Sequence, residues 1–442
     1  MPKKLVALVA VSVLSLLGSP ARASDSSFND IFDNGHVDGE LRAYDFSRLY
    51  DTNATPDAHA FSLAALINAN TAPFLGGFSI GGSFAVASSL NTQSDNPAKI
   101  DVSLMGPYSS IGAFSQAYAQ FANHWIQVRG GYQYLSTPWM GNNDSRVIPS
   151  SYNAISTIVT PATGWNLIGI RQFTWKSRTS TGMYADNLYY PSIYHGDEMY
   201  GNNGSLPATA PKAEGTWAGG VTYTSDSLKG EAWYYDFIDF ARMAYLVGTY
   251  TLHTETHFNP FISAQYVNQN SSDGNILVDT HTKLFGVAGS KVSSEAWGID
   301  LGTSIYDGKI DIAYNKLEHQ SGAVGNGALI SPYTTNYATD PLFTTSMIRG
   351  LVEQGPGYAW KARASYYFFQ KQLQLVAAYA QYDTELRGNS HNVYFDIIYN
   401  ADQWLKGLTI RNRWERSVGG ANNLNPGNEP FTYNRLMITY KF

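Results

Sequence analysis

The last dozen residues, Phe431 to Phe442, alternate with a period of two. Leu436, Ile438, Tyr440 and Phe442 fall on one face, and Arg435, Met437, Thr439 and Lys441 on the other. A strand that is apolar on one side, cationic on the other and aromatic at its carboxy-terminus suits a wall between lipid and water. In a soluble sandwich the apolar face would meet a core, and the terminus would more often be polar and frayed. Beyond the amino-terminal region no stretch approaches about 18 consecutive apolar residues. If this chain crosses a membrane, it crosses as strands.

The other end supports export. Lys3 and Lys4 precede an apolar run from Leu5 to Gly18, and Ala21-Arg22-Ala23 supplies a small-x-small cleavage pattern. This predicts a signal peptide over residues 1–23 and one barrel domain over residues 24–442. Charged residues are 14% of the chain, against about 25% in soluble domains. A barrel with half its outer wall in lipid needs no more. The net charge of −6 becomes more negative once Lys3, Lys4 and Arg22 leave, which argues against nucleic acid as a partner. With no cysteine, an exported chain must draw stability from elsewhere, here a closed hydrogen-bond ladder.

Segments of about ten alternating residues, separated alternately by short turns and longer polar loops, run through the rest. They predict an all-β, transmembrane antiparallel barrel of about 18 strands with inward-folded constriction loops. Asp307-Gly308 marks a hairpin turn. Leu135 to Gly164 reads as one long connection, and Ser177 to Tyr184 as a poor strand. Aromatics near strand ends, among them Trp217, Trp233, Trp297, Tyr399 and Tyr440, read as interfacial girdles.

Trp125 to Ile155 contains Thr137-Pro138-Trp139 and Asp144-Ser145-Arg146-Val147-Ile148-Pro149. With Asp38-Gly39-Glu40-Leu41-Arg42-Ala43-Tyr44 and Ala338-Thr339-Asp340-Pro341-Leu342-Phe343-Thr344-Thr345-Ser346-Met347, this order of motifs resembles the OprD family of porins. Gly131-Tyr132-Gln133 departs from the family's Gly-Arg-Gln, removing one lumenal charge. The resemblance implies an outer-membrane channel of a Gram-negative bacterium, selective for small solutes. Its pore is narrowed by inward loops, and basic side chains run up one wall. It also implies that assembly machinery reads Phe442.

Strand parity independently places Arg42, Lys361, Arg363, Arg411, Arg413 and Arg435 on lumenal faces, with Arg129 a weaker seventh member. Arg42 lies on the first strand and Arg435 on the last, which pair when the barrel closes. Such a stripe concentrates anions or the carboxylate end of a zwitterion. The plainer reading is that these cations pair with Asp38, Glu40 or Glu415 and fill the lumen. By the family pattern Thr137, Asp144, Ser145, Arg146, Asp340 and Ser346 belong to the constriction loops. An Asp340 facing the stripe would create a transverse field; the plainer reading is loop bracing by Asp-Pro and Asx turns.

His253, Glu255 and His257 carry metal-ligand chemistry, but on a strand the two histidines stand about 13 Å apart, too far to share an ion. Gly141 to Ser145 offers one carboxylate, a poor Ca²⁺ loop. No nucleophile elbow and no phosphate-binding glycine loop appears. The expectation is therefore a porin without catalysis or cofactor. Its partners are outer-membrane lipid, lipopolysaccharide and small anionic or zwitterionic solutes, and it is a monomer or loose trimer whose contacts would be apolar like the lipid face. A barrel enzyme of lipase or protease type, using a rim serine or histidine, is the alternative, and a soluble periplasmic binding module a more distant one.

Overall fold

In the computed structural model residues 28–183, 214–281, 283, 286–330, 332–333, 340–352, 354–420 and 429–442 are described. The signal segment, and with it Ala338 and Thr339, lies outside them.

Eighteen strands follow one another: β1 (His36–Tyr50), β2 (Ala58–Asn70), β3 (Phe78–Ser88), β4 (Ser110–Ala122), β5 (Ile126–Gln133), β6 (Ser151–Ala162), β7 (Trp165–Lys176), β8 (Thr216–Thr224) and β9 (Leu228–Phe237). Then come β10 (Ala241–Thr251), β11 (Phe258–Asn270), β12 (Ser293–Ile305), β13 (Gly308–Leu317), β14 (Gly357–Phe368), β15 (Leu373–Thr384), β16 (Gly388–Asn400), β17 (Leu408–Gly419) and β18 (Phe431–Lys441). Short helices α1 (Phe28–Asp33), α2 (Val102–Met105) and α3 (Ile276–Asp279) sit outside the ladder. Each strand pairs antiparallel with its sequence neighbours, and β1 pairs with β18 to close the barrel. Closure reaches the last residue: Gly39 N donates to Phe442 O and Phe442 N to Gly39 O, both at 3.0 Å. Among the described residues every strand is paired on both sides, which is what a lipid-embedded backbone demands.

The strand number matches the expectation for a partly wrong reason. Ser151 to Ala162, read as loop, is β6. The segment from Ser177 to residue 183, read as a strand, is turn and bend, and Tyr184 lies outside the described residues. Asn153, Ser156 and Pro161 disguise β6, and a register shift between Asn153 and Ala154 interrupts its alternation.

Both ends of the described chain and the connections after even-numbered strands lie at one end, here the turn end, and the longest connections at the other, the loop end. Outside, Ile80, Leu167, Leu246, Ile262, Ile299, Ile312 and Ile397 stand exposed in a belt. Phe78, Trp165, Phe258, Tyr306, Phe368 and Phe442 ring its turn end, and Trp217, Tyr234, Trp297 and Tyr358 its loop end, as interfacial girdles do. Trp233 corrects the sequence reading: it points inward, buried in a stack with Tyr235 at 5.8 Å. The buried clusters lie inside the barrel, where loops pack on the inner wall.

Candidate functional site

Several connections fold into the lumen, and two of them carry the predicted constriction residues. The first, residues 134–150, is anchored on β1. Arg42, 2% exposed, donates from Nη1 and Nη2 to the two carboxylate oxygens of Asp144 at 2.6 and 2.7 Å, and from Nε to Glu40 at 2.8 Å. Its Nη1 also meets the Arg146 carbonyl at 2.8 Å. This bidentate fork fixes both the position and the tilt of the loop. Arg146 then lies over the Phe46 ring at 5.6 Å and donates from Nε to the Ser103 carbonyl of α2 at 2.6 Å. Ser145 Oγ accepts from Arg146 and from Arg178, each at 3.2 Å. Thr137 closes a local turn, its Oγ1 donating to Met140 O and accepting from Met140 N at 3.0 Å.

The second loop, within residues 318–356, is pinned through residues 344–349 to β13, β14, β15 and β17. Asn315 of β13 accepts from Thr344 N at 3.0 Å, Lys361 Nζ of β14 donates to Thr345 O at 2.7 Å, and Tyr382 Oη of β15 donates to Thr344 O at 2.8 Å. Glu415 of β17, fully buried, accepts from Ser346 Oγ at 2.6 Å, from Met347 N at 2.7 Å and from Asn392 of β16. Arg349 donates to Ser417 Oγ and Gly419 O, both at 3.1 Å. Met347 and Ile348 share one apolar cluster with Val147 and Ile148 of the first loop. The two loops therefore meet.

Asp340 departs from the transverse-field expectation. Its Oδ1 accepts from Leu342 N at 2.9 Å, an Asx turn inside the loop, and burial pushes its carboxyl up to about 6. This bond lies within the loop itself.

The basic residues divide accordingly. Arg42 and Lys361 face inward as parity requires, and each holds a loop, Arg42 through Asp144 and Lys361 through the Thr345 carbonyl. Arg129, on β5 and 9% exposed, gives Nε and Nη2 to Gln120 Oε1 and stacks on Tyr118 at 4.1 Å. Arg363, Arg411 and Arg413 keep solvent-facing surface, with side chains 38%, 33% and 15% exposed. Arg363 donates to Asp311 from Nη2 at 2.8 Å, and Lys309 stands 3.8 Å from the same carboxylate. Arg411 pairs with Asp396, which lies 3.8 Å from Arg413 Nε. Arg413 Nε also meets Tyr394 Oη at 3.2 Å. Arg435 is buried over Tyr433 at 4.2 Å and Phe46 at 5.2 Å.

The acids paired with the predicted ladder arginines are thus Glu40, Asp144, Asp311 and Asp396; Glu415 holds a loop instead. Lys309, Asp311 and Asp396 escaped the sequence reading, although Lys309-Ile310-Asp311-Ile312 alternates cleanly and places both charges inward. His253 and His257 sit in a turn, the first against Asp226 O at 2.7 Å and the second stacked on Tyr306. Among the described residues no group of three metal-ligating side chains gathers.

OccK9 (OpdG) of Pseudomonas aeruginosa superposes on 93% of this chain and 99% of its own, with a TM-score of 0.74 at 14% identity. OccAB3 of Acinetobacter baumannii gives the same figures. P. aeruginosa OpdK, solved with vanillate, gives 0.70 at 13% identity over 93% and 99%. The chain has the OprD-type porin fold. No family model and no curated protein matches it in sequence. An OprD-type barrel explains why long loops turn inward: eighteen strands enclose a lumen too wide for side chains alone to fill.

Proposed function

We propose that this protein is a substrate-selective outer-membrane channel through which small carboxylate-bearing solutes diffuse down their gradient. The observation that carries the reading is the partly open basic wall beneath the loop-narrowed lumen. Arg411 and Arg413 share one carboxylate, Asp396. Lys309 and Arg363 share Asp311, with Asp300 and Lys361 beside them. Each group keeps a surplus of positive charge after pairing. In a low-dielectric wall that surplus attracts anions, and a guanidinium already fixed by one carboxylate presents its remaining N–H groups without further ordering. The barrel neighbour OpdK, solved with vanillate, is consistent with an anionic solute.

The short-turn end would face the periplasm and the long-loop end the exterior, the usual arrangement of such barrels. Amino acids, short peptides and organic acids all satisfy the chemistry of the stripe. Planar-bilayer recording of the refolded protein tests the reading. Stepwise conductance with anion-preferring reversal potentials, reduced by added carboxylates, is expected. A folded barrel that passes no current, or one that prefers cations, overturns it.

A further inference from the structure

The connection between β3 and β4, residues 89–109, also turns inward, and a buried charge ties its short helix α2 to the barrel seam. Asp101, fully buried, accepts from Arg48 Nη2 of β1 at 3.2 Å, and that guanidinium is 3% exposed. The same carboxylate caps α2, accepting from Ser103 N at 3.1 Å. Ser103 Oγ in turn hydrogen-bonds Tyr433 Oη of β18 at 2.6 Å. The Tyr433 ring carries two cations, Arg48 at 4.6 Å and Arg435 at 4.2 Å.

From α2 the path continues into the first constriction loop. The Ser103 carbonyl accepts from Arg146 Nε at 2.6 Å, and Arg42 of β1 holds the same loop through Asp144. A closed circuit therefore runs from Arg48 through Asp101, Ser103 and Arg146 to Asp144 and back to β1 at Arg42. Its two footings lie on the same inward face of β1, with the Phe46 ring between them under Arg146. Packing follows the same path: Leu104 and Met105 of α2 share one buried cluster with Val147 and Ile148 of the loop. A loop held at one end can swing about that anchor, whereas a second footing fixes its position as well.

We infer that Asp101 is a positioning residue for the pore constriction: through α2 it sets where Arg146, and with it the first loop, comes to rest. The role rests on the channel reading, because a constriction has a function only in a pore. Taking one partner from a buried ion pair is costly, so the pair holds α2 against the seam, and Arg146 follows the Ser103 carbonyl. Asp101 N also donates to His59 O of β2 at 3.1 Å. That backbone bond survives substitution, so a variant that changes only the side-chain charge isolates the clamp.

Asp101→Asn keeps a helix-capping side chain of nearly the same shape and removes the charge. Asp95→Asn, at an exposed position in the same connection, is the control. Because the chain has no cysteine, single thiols report local opening to a small thiol reagent. Ile148→Cys in the first loop and Leu277→Cys in α3 replace fully buried side chains in separate clusters. In folded barrels Asp101→Asn should speed modification of Ile148→Cys by about tenfold or more, the scale of one lost charge-assisted bond. It should leave Leu277→Cys unchanged, and Asp95→Asn should alter neither. Single-channel conductance, which reports only barrels that have folded, should shift and grow noisier with Asp101→Asn. Should that variant fail to fold, Arg48→Gln removes the other half of the pair and carries the same expectation. An unchanged rate at Ile148→Cys, an equal rise at both thiols, or wild-type conductance with Asp101→Asn overturns the inference. Folded wild-type barrels that pass no current overturn the channel reading instead, and the two thiols still decide whether Asp101 holds the loop.

Discussion

Arg413 and Arg435 face each other directly across β17 and β18. Two like charges in register on one face of a sheet repel, yet both are held: Arg413 by Tyr394 and Asp396, Arg435 over Tyr433 and Phe46. The aromatic faces absorb part of the charge, and Arg411 one step along the strand adds a third cation. An anion entering this corner relieves the repulsion.

Replacing Arg411 and Arg413 together with alanine should therefore reduce anion preference. The reversal potential in a salt gradient should move towards zero, and block by small carboxylates should weaken by about thirtyfold if each of the two lost contacts is worth roughly 1 kcal/mol. An unchanged reversal potential would remove these arginines from the conduction path.

Glu415 is the main clasp of the second loop. Glu415→Ala leaves Met347 N and Asn392 Nδ2 without their acceptor and takes one of two acceptors from Ser346 Oγ, at a cost of roughly 1–3 kcal/mol for each group that stays buried and unpaired. The loop should come away from the wall, and single-channel conductance should rise and grow noisier. Glu415→Gln, which keeps one acceptor oxygen, should fall between. Wild-type conductance in Glu415→Ala would show that the loop's remaining contacts suffice.

The first loop depends on the fork between Arg42 and Asp144. Asp144→Ala takes one of two carboxylates from a guanidinium that is 2% exposed, so we expect a loss of about 1–3 kcal/mol. The temperature at which the folded, fast-migrating form unfolds on a gel should drop. If that temperature stays put, Glu40 and the loop carbonyls carry the anchor alone.

Asp340 gives the fold a pH dependence of definite sign. Its carboxyl is raised to about 6 by burial, so the folded protein binds the proton more tightly than the unfolded chain. The stabilisation is fully present below the ordinary carboxylate range and is lost as pH rises through about 6, up to roughly 3 kcal/mol over the two-unit difference. Unfolding temperature in wild type should therefore fall between pH 4 and 7 relative to Asp340→Asn. Parallel profiles for the two proteins would mean that the carboxyl is not buried in solution.

Period-two alternation was enough to set the architecture, because in a barrel between lipid and water each strand answers to two opposite solvents. Leu436 and Arg435, on opposite sides of β18, carry that signal without help from the rest of the chain. Alternation fails where the backbone departs from regular pairing, and there β6 was hidden by its bulge and polar residues. Its loss was offset in number by a false strand at Ser177. The same parity told which side chains face inward, among them Arg42, Lys361, Arg363, Arg411, Arg413 and Arg435, since facing depends only on a residue's place along its strand.

What each inward charge does was decided by tertiary structure. Arg42 and Arg411 have the same parity and the same chemistry, but Arg42 meets a loop residue 102 positions away and Arg411 meets Asp396 on the neighbouring strand. Whether an arginine braces a loop or faces the pore depends on where a long connection lands. That landing is set by many weak contacts between distant segments, and no local period records it. The circuit through Arg48, Asp101, Ser103 and Tyr433 was invisible for a related reason. It draws on the first strand, the last strand and the connection after β3, and only closure of β1 onto β18 brings them together.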